Sequence, residues 1–257
     1  MTQDERRVYL IRYLLKEDIR YLKFSIPNDI QEQRDLLRSL MNVRMPKPIS
    51  DEFLQIQDEY LKERVKERGI TDLNNLNPVK SDTRLYIWKG DITTLKCDSI
   101  VNACNSQMLG CFSPMHSCID NFIHTYAGIQ LRLKMNEIMI QQGHEERTGI
   151  AKITSGYNLP SKYILHTVGP IIQGRLTKKD KELLASCYRE CLELASRNNV
   201  ESIAFCCIST GVFRFPQQEA AKIAVKTVKE FLNSTNMKVI FNVFKDEDYR
   251  IYNELLK

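Results

Sequence analysis

No stretch of the chain approaches the roughly 20 consecutive apolar residues that a membrane-spanning helix requires, which excludes a helical membrane protein. The first residues, Met1, Thr2, Gln3, Asp4 and Glu5, lack the basic-then-apolar order of a secretory leader, so a cytoplasmic location is expected. Dense basic runs are also missing. The net charge is +5, from 37 Lys and Arg against 32 Asp and Glu, and it is spread evenly: 15 basic and 14 acidic residues up to Lys80, 22 and 18 beyond. A nucleic-acid partner is therefore not expected, whereas a small anionic ligand is compatible. There is one tryptophan, but 43% hydrophobic and 27% charged residues belong to an ordinary soluble globular protein, not to a disordered, collagenous or coiled-coil one.

Glycine is scarce early: only Gly69 precedes residue 81, and the other nine lie between Gly90 and Gly211. With 257 residues, the length suits one large domain or a domain with an extension. We expect a helical N-terminal extension over 1–80, packed on a main domain over 81–257. Leu10, Tyr13 and Leu14, then Phe53, Ile56, Tyr60, Leu61 and Val65, recur at helical spacing on either side of Pro46 and Pro48. Beyond Leu85, short apolar runs alternate with longer helical patterns. They predict strands near 85–88, 99–102, 151–154, 162–168, 202–208 and 239–244, an α/β layout. Thr177 and Asp180 form a capping signal for a helix near 178–198 that buries Cys187 and Cys191.

Cysteine is absent before Cys97, yet all eight cysteines lie from there on. Without a secretion signal disulfides are not expected, so burial, catalysis or metal binding must account for them. Cys206 and Cys207, inside an apolar run, read as core. Cys111, His116 and Cys118 fall within eight residues of an expected loop, a spacing that suits zinc with a fourth position left open. A structural site would recruit Cys104, Cys97 or His124 instead, and unrelated cysteines near one histidine are the remaining possibility. Asp120 and His124 share a helical face; Asp120 reads as a base, an orienting group or a first-turn acid. His124 and His166 read as packed, hydrogen-bonded histidines and His144 as an exposed loop residue.

Ser209, Thr210, Gly211, Val212, Phe213, Arg214, Phe215 and Pro216 separate a buried strand from a helix, so backbone amides and the helix N-terminus favour phosphate there. Gly90, Asp91, Ile92 and Thr93 end another strand, and Asn102 and Asn105 end a third. Carboxylate and carboxamides at strand ends can grip an exocyclic amine or a ribose, or simply make turns.

In order along the chain, Gly90-Asp91-Ile92-Thr93, Val101-Asn102-Ala103-Cys104-Asn105-Ser106, Ile208-Ser209-Thr210-Gly211-Val212-Phe213 and Val243-Phe244 resemble the four motifs of the macrodomains, modules that bind ADP-ribose. The resemblance covers about residues 83–257. Ile119-Asp120-Asn121-Phe122-Ile123-His124 and Ala127-Gly128 are similar to the hydrolase branch, while the Cys111, His116, Cys118 segment replaces its glycines and resembles that of the microbial zinc-containing macrodomains. Two departures are Cys104, where alanine is common, and Arg214, where a small residue is frequent.

The resemblance implies a three-layer α/β/α fold with a mixed sheet. It implies Asp91, the Ile92 amide and Phe244 at adenine, Ser209, Thr210, Gly211, Val212 and Phe213 at the diphosphate, and Asn102, Asn105, Cys118, Ile119 and Asp120 toward the distal ribose. Asp120 and Asn105 would be catalytic, and Cys111, His116 and Cys118 would hold Zn2+. The activity implied is zinc-dependent hydrolysis of ADP-ribose from mono-ADP-ribosylated protein side chains, with a sirtuin-type transferase and a lipoyl-carrier protein as partners. The rivals are a non-catalytic ADP-ribose reader with structural zinc and a deacetylase of acetylated ADP-ribose.

Overall fold

A computed structural model describes residues 1–257. The chain begins with three helices, α1 (Gln3–Lys16), α2 (Ile30–Val43) and α3 (Asp51–Arg68), each started by a side-chain cap from Thr2, Asp29 or Ser50. Gly69, at φ +84°, ends α3, which accounts for the one glycine of the early sequence. The remaining elements are β1 (Thr71–Asp72), β2 (Leu85–Lys89), β3 (Leu95–Lys96), β4 (Ser99–Cys104), α4 (Ile119–Ala127), α5 (Ile129–Gln142), β5 (Ala151–Ser155), β6 (Tyr163–Val168), α6 (Lys178–Arg197), β7 (Ser202–Phe205), α7 (Gln217–Leu232), β8 (Lys238–Val243) and α8 (Asp246–Leu255). None of the helices is long and apolar enough to cross a membrane.

Six strands form one mixed sheet in the order β2-β8-β7-β4-β6-β5, parallel throughout except for the antiparallel edge strand β5. Helices α6, α7 and α8 cover one face and α4 and α5 the other, giving the expected three layers around a core of 45 buried residues. The capping box at Thr177 and Asp180 is present, and Cys187 and Cys191 are fully buried in α6. Strand β7 is central and buried on both faces, but it stops at Phe205. The expected extension to Ile208 is wrong because Cys206, Cys207 and Ile208 leave the ladder and turn into the following loop.

Helices α1, α2 and α3 close a smaller core, in which Leu10, Ile11, Leu37, Leu40, Phe53 and Leu61 meet Ile129 of α5. Buried polar groups tie the two cores together. Gln57, 0% exposed, accepts from the Ile129 amide at 3.0 Å and donates to Gln130 at 2.7 Å. Arg132 of α5 donates to the carbonyls of Met41, Asn42 and Arg44 at 3.1, 2.8 and 2.7 Å, satisfying the C-terminal carbonyls that α2 cannot pair itself.

Candidate functional site

Because β2, β8, β7, β4 and β6 run parallel, the segments that leave their C-terminal ends all emerge along one edge of the sheet. These segments are Gly90 to Thr93 after β2, Phe244 after β8, Ser209 to Phe213 beyond β7, Asn105 after β4 and Gly169 to Leu176 after β6. Four of the five carry residues singled out in the sequence. The β6 segment had no motif, yet its Ile172 amide donates to the Phe213 carbonyl at 2.9 Å, so it borders the Ser209–Phe213 loop.

That loop is held from within. Phe215 N–H donates to Ser209 O at 2.9 Å and Arg214 N–H to Gly211 O at 3.0 Å, whereas the N–H groups of Gly211, Val212 and Phe213 donate to nothing in the chain. Three consecutive free amides are donors available to an anion. Gly211 has open space where a Cβ would stand, so the backbone is accessible. The left-handed conformations fall on Ser209 (φ +65°) and Arg214 (φ +60°), which explains why a small residue suits the latter position. Pro216 lies one residue outside α7 as its N-cap, not in its first turn.

At the β2 end, Asp91 Oδ1 accepts from the amide and hydroxyl of Thr93 at 2.9 and 2.6 Å. Asp91 Oδ2 pairs with Arg68, from the last turn of α3, which also donates to Thr93 Oγ1 at 2.9 Å and lies over the Tyr126 ring at 3.7 Å. Ile92 is buried, and Phe244, directly after the neighbouring strand β8, is 76% exposed, an apolar ring open to solvent.

After β4, Asn105 is half-buried and its Oδ1 accepts from the amides of Gln107 and Met108 at 3.1 and 3.2 Å, shaping the turn that leads to Gly110. Asn102 is 0% exposed, so it stands behind the surface and does not present its carboxamide to a ligand. It donates to Asp120 Oδ1 at 2.8 Å and to His166 Nδ1 at 3.2 Å. That bond makes Nδ1 the acceptor, which leaves the proton on Nε2, 2.9 Å from Thr154 Oγ1. Burial pushes Asp120 up to about 6, against the Asn102 bond and the Arg132 charge. His124 Nε2 lies 3.6 Å from Asp120, but burial and then Arg132 hold the imidazole neutral, so the contact is not an ion pair. Neither ring nitrogen of His124 has a partner; the sequence expectation of a hydrogen-bonded histidine is corrected here, whereas it holds for His166. His144 is exposed, as expected.

Cys118 caps α4, its Sγ accepting from Asn121 N–H at 3.4 Å. Cys111, His116 and Cys118 converge: their ligand atoms all lie within 4.8 Å of one another, and Cys111 Sγ is 3.6 Å from His116 Nδ1. Sulfur at about 2.3 Å and nitrogen at about 2.0 Å from one tetrahedral zinc stand about 3.5 Å apart, so the Cys111–His116 pair already matches that ion, with Cys118 Sγ close enough to complete the set. Cys97, Cys104 and His124 do not join the group. Cys97 lies beside the opposite end of β4, and Cys104 is buried with its thiol toward Thr167 O at 3.4 Å. The three-ligand pattern therefore stands over the four-ligand one. Burial pushes the Cys118 thiol up to about 12, which a coordinated cation would reverse, since the thiolate is the ligand.

Besides the β6 segment, four residues near the site escaped the sequence reading: Arg38 and Asn42 of α2, Arg68 of α3 and Arg132 of α5. Each is distant in sequence from the group it touches, and no local spacing signals such pairs. Helix α2 itself was detectable, because Asp29 caps a stretch with Leu37, Leu40 and Met41 on one face.

The Macro domain family profile matches residues 101–224. A protein-ADP-ribose hydrolase of Treponema medium is 58% identical over 260 residues, covering 100% of both chains. Among solved structures, a macrodomain of Oceanobacillus iheyensis with ADP is 40% identical at TM-score 0.62, covering 70% of this chain and 92% of that one. The Trypanosoma brucei macrodomain in complex with ADP-ribose is 29% identical at TM-score 0.67, covering 86% of this chain and 95% of its own. With its sheet order, its strand-end loops and a full-length relative at this identity, the chain belongs to the Macro domain family.

Proposed function

We propose that the protein is a zinc-dependent hydrolase that removes ADP-ribose from mono-ADP-ribosylated protein side chains. The observation that carries this reading is an ordering: across the sheet edge, Asp91 and Phe244 flank β2 and β8, the free amides follow β7, and Asn105 and the Cys111, His116, Cys118 group follow β4. Adenine, diphosphate and outer ribose occur in the same order along ADP-ribose. The full-length relative named as a protein-ADP-ribose hydrolase supports the activity.

In this reading Asp91 accepts from the adenine amine and the Ile92 amide donates to the ring, while Phe244 lies against its face. The loop from Ser209 to Phe213 wraps the diphosphate and fixes it through the free amides of Gly211, Val212 and Phe213, the Thr210 amide being held by Cys207 O, so binding energy at the nucleotide orients the bond to be cut. Cys111, His116 and Cys118 would hold zinc, which when bound would supply Lewis-acid chemistry next to the outer ribose. Cys118 and Ile119 begin α4 beside that ribose, and Asn105 holds it. Asp120, backed by Asn102, His166 and Thr154, is poised to take or hold a proton near neutral pH. Residues 81–257 form the catalytic body and 1–80 brace it. We place the protein in the cytoplasm, and the family resemblance points to a lipoyl-carrier substrate modified by a sirtuin-type transferase.

The test is release of ADP-ribose from a mono-ADP-ribosylated protein. Wild type releases it, Cys111→Ala loses both zinc and turnover, and Asp120→Ala lowers release about 10²-fold or more while still binding ADP-ribose. Full turnover after complete zinc removal contradicts the metal's role. Binding without release by the zinc-loaded protein marks a reader, and turnover confined to acetylated ADP-ribose marks the deacetylase.

A further inference from the structure

The eight residues from Cys111 to Cys118 contain no helix or strand, and Met115 within them takes a left-handed backbone at φ +55°. Only one backbone hydrogen bond lies inside the segment, from His116 N–H to Ser113 O at 3.3 Å. A loop so built loses conformational entropy when it wraps an ion, unless something else has already ordered it.

Helix α2 supplies that order. Arg38 donates to His116 O at 2.9 Å, and Asn42 Oδ1 accepts from Met115 N–H at 3.2 Å. The third outside bond to the loop's backbone comes from Asn121 Nδ2 to Ser113 O at 3.0 Å. Asn121 is itself aligned by Arg38, which donates to its Oδ1 at 2.7 and 3.2 Å and lies over the Phe122 ring at 4.2 Å. On the other flank, Arg132 donates to Leu109 O at 2.7 Å, sits over Phe112 at 4.3 Å and clamps the C-terminal carbonyls of α2.

We infer that Arg38 is a positioning residue for the metal centre: through His116 O and Asn121 it fixes the ligand loop, so the N-terminal helices are a working part of the zinc site. This rests on the zinc reading above. A planar guanidinium satisfies the carbonyl and the carboxamide together, which lysine cannot do. Groups that orient metal ligands affect metal affinity by about 10- to 100-fold.

The test uses the full chain and three variants, Arg38→Ala, Arg38→Lys and Arg34→Ala. Zinc affinity is read by competition with a chromogenic chelator, ADP-ribose affinity by calorimetry and folding by circular dichroism. Arg38→Ala and Arg38→Lys should lose zinc affinity by about tenfold or more with ADP-ribose affinity within about twofold of wild type. Arg34→Ala, one turn earlier on the same helix, should change neither. Wild-type zinc affinity in Arg38→Ala, or in Arg38→Lys should the alanine variant not fold, overturns the inference and leaves the zinc reading standing. An equal loss in Arg34→Ala also overturns it, because general weakening of α2 would then suffice. Failure of the wild-type chain to hold zinc overturns the zinc reading itself.

Discussion

His166 and His124 are 0% and 5% exposed, and burial holds both imidazoles neutral, His166 down to about 3. An unfolded histidine takes its proton near 6.5 while the native His166 refuses one until about 3, so its contribution to stability is complete above 6.5 and is lost as pH falls toward 3. At pH 5 the loss from His166 is about 2 kcal/mol. His166→Gln keeps an acceptor for Asn102 and a donor for Thr154, so urea unfolding at pH 7 and pH 5 should show a smaller acid loss in the variant; an equal loss would contradict this. Arg68 acts at the other end of the site. Arg68→Ala frees Asp91 Oδ2 and Thr93, and should raise KM for the ADP-ribosylated substrate about tenfold with kcat unchanged, because in the proposed reading Asp91 holds the adenine end. A fall in kcat with KM unchanged would contradict that placement. Residues such as Cys111, His116 and Cys118 were legible because their chemistry is local. Arg38 and Arg68 were not, since an arginine whose partners lie 78 and 83 residues away, or 23 and 25, looks in the sequence like any solvated charge. Asn102 was misread as a contact residue because its neighbour Asn105 shares its chemistry and only burial separates them.

At the level of elements, the β6 segment controls the shape of the phosphate loop. A Cβ on Gly169 would stand 2.1 Å from Ser209 Oγ and 3.0 Å from Ile208 Cγ2. Ser209 is buried, left-handed and anchors Phe215 through its carbonyl, and Ile208 crowds the same space, so even with the Ser209 hydroxyl turned aside the new methyl group presses on the start of the loop. Gly169→Ala should therefore weaken ADP-ribose binding tenfold or more while circular dichroism stays unchanged, and undiminished affinity by calorimetry would refute this coupling. The strands were readable from apolar runs, and the capped helix at Thr177 from its first turn. Strand β7 ended early because an apolar run marks burial, and burial continues past Phe205 into the loop. Helix α2 was missed although it carries Arg38 and Asn42, which grip the loop from Cys111 to Cys118.

For the whole molecule, the α/β body was legible from the alternation of patterns, and the extension from its poverty in glycine. The junction was not: Gln57, Arg38 and Arg132 join the parts through buried polar bonds that periodicity does not record. Those bonds predict one cooperative unit. Trp88, on β2, reports on the body, whereas helical circular dichroism draws strongly on α1, α2 and α3. The two signals should share one urea midpoint, and separated midpoints would mean that the extension folds on its own. The central claim is that Cys111, His116 and Cys118 seat an ion beside the outer ribose. Anomalous X-ray diffraction at the zinc edge, from crystals grown with ADP-ribose and without chelator, tests it most directly. The account predicts a single peak between the two sulfurs and His116 Nδ1, next to the ribose. Ordered, well-defined side chains with no anomalous peak among them would contradict it.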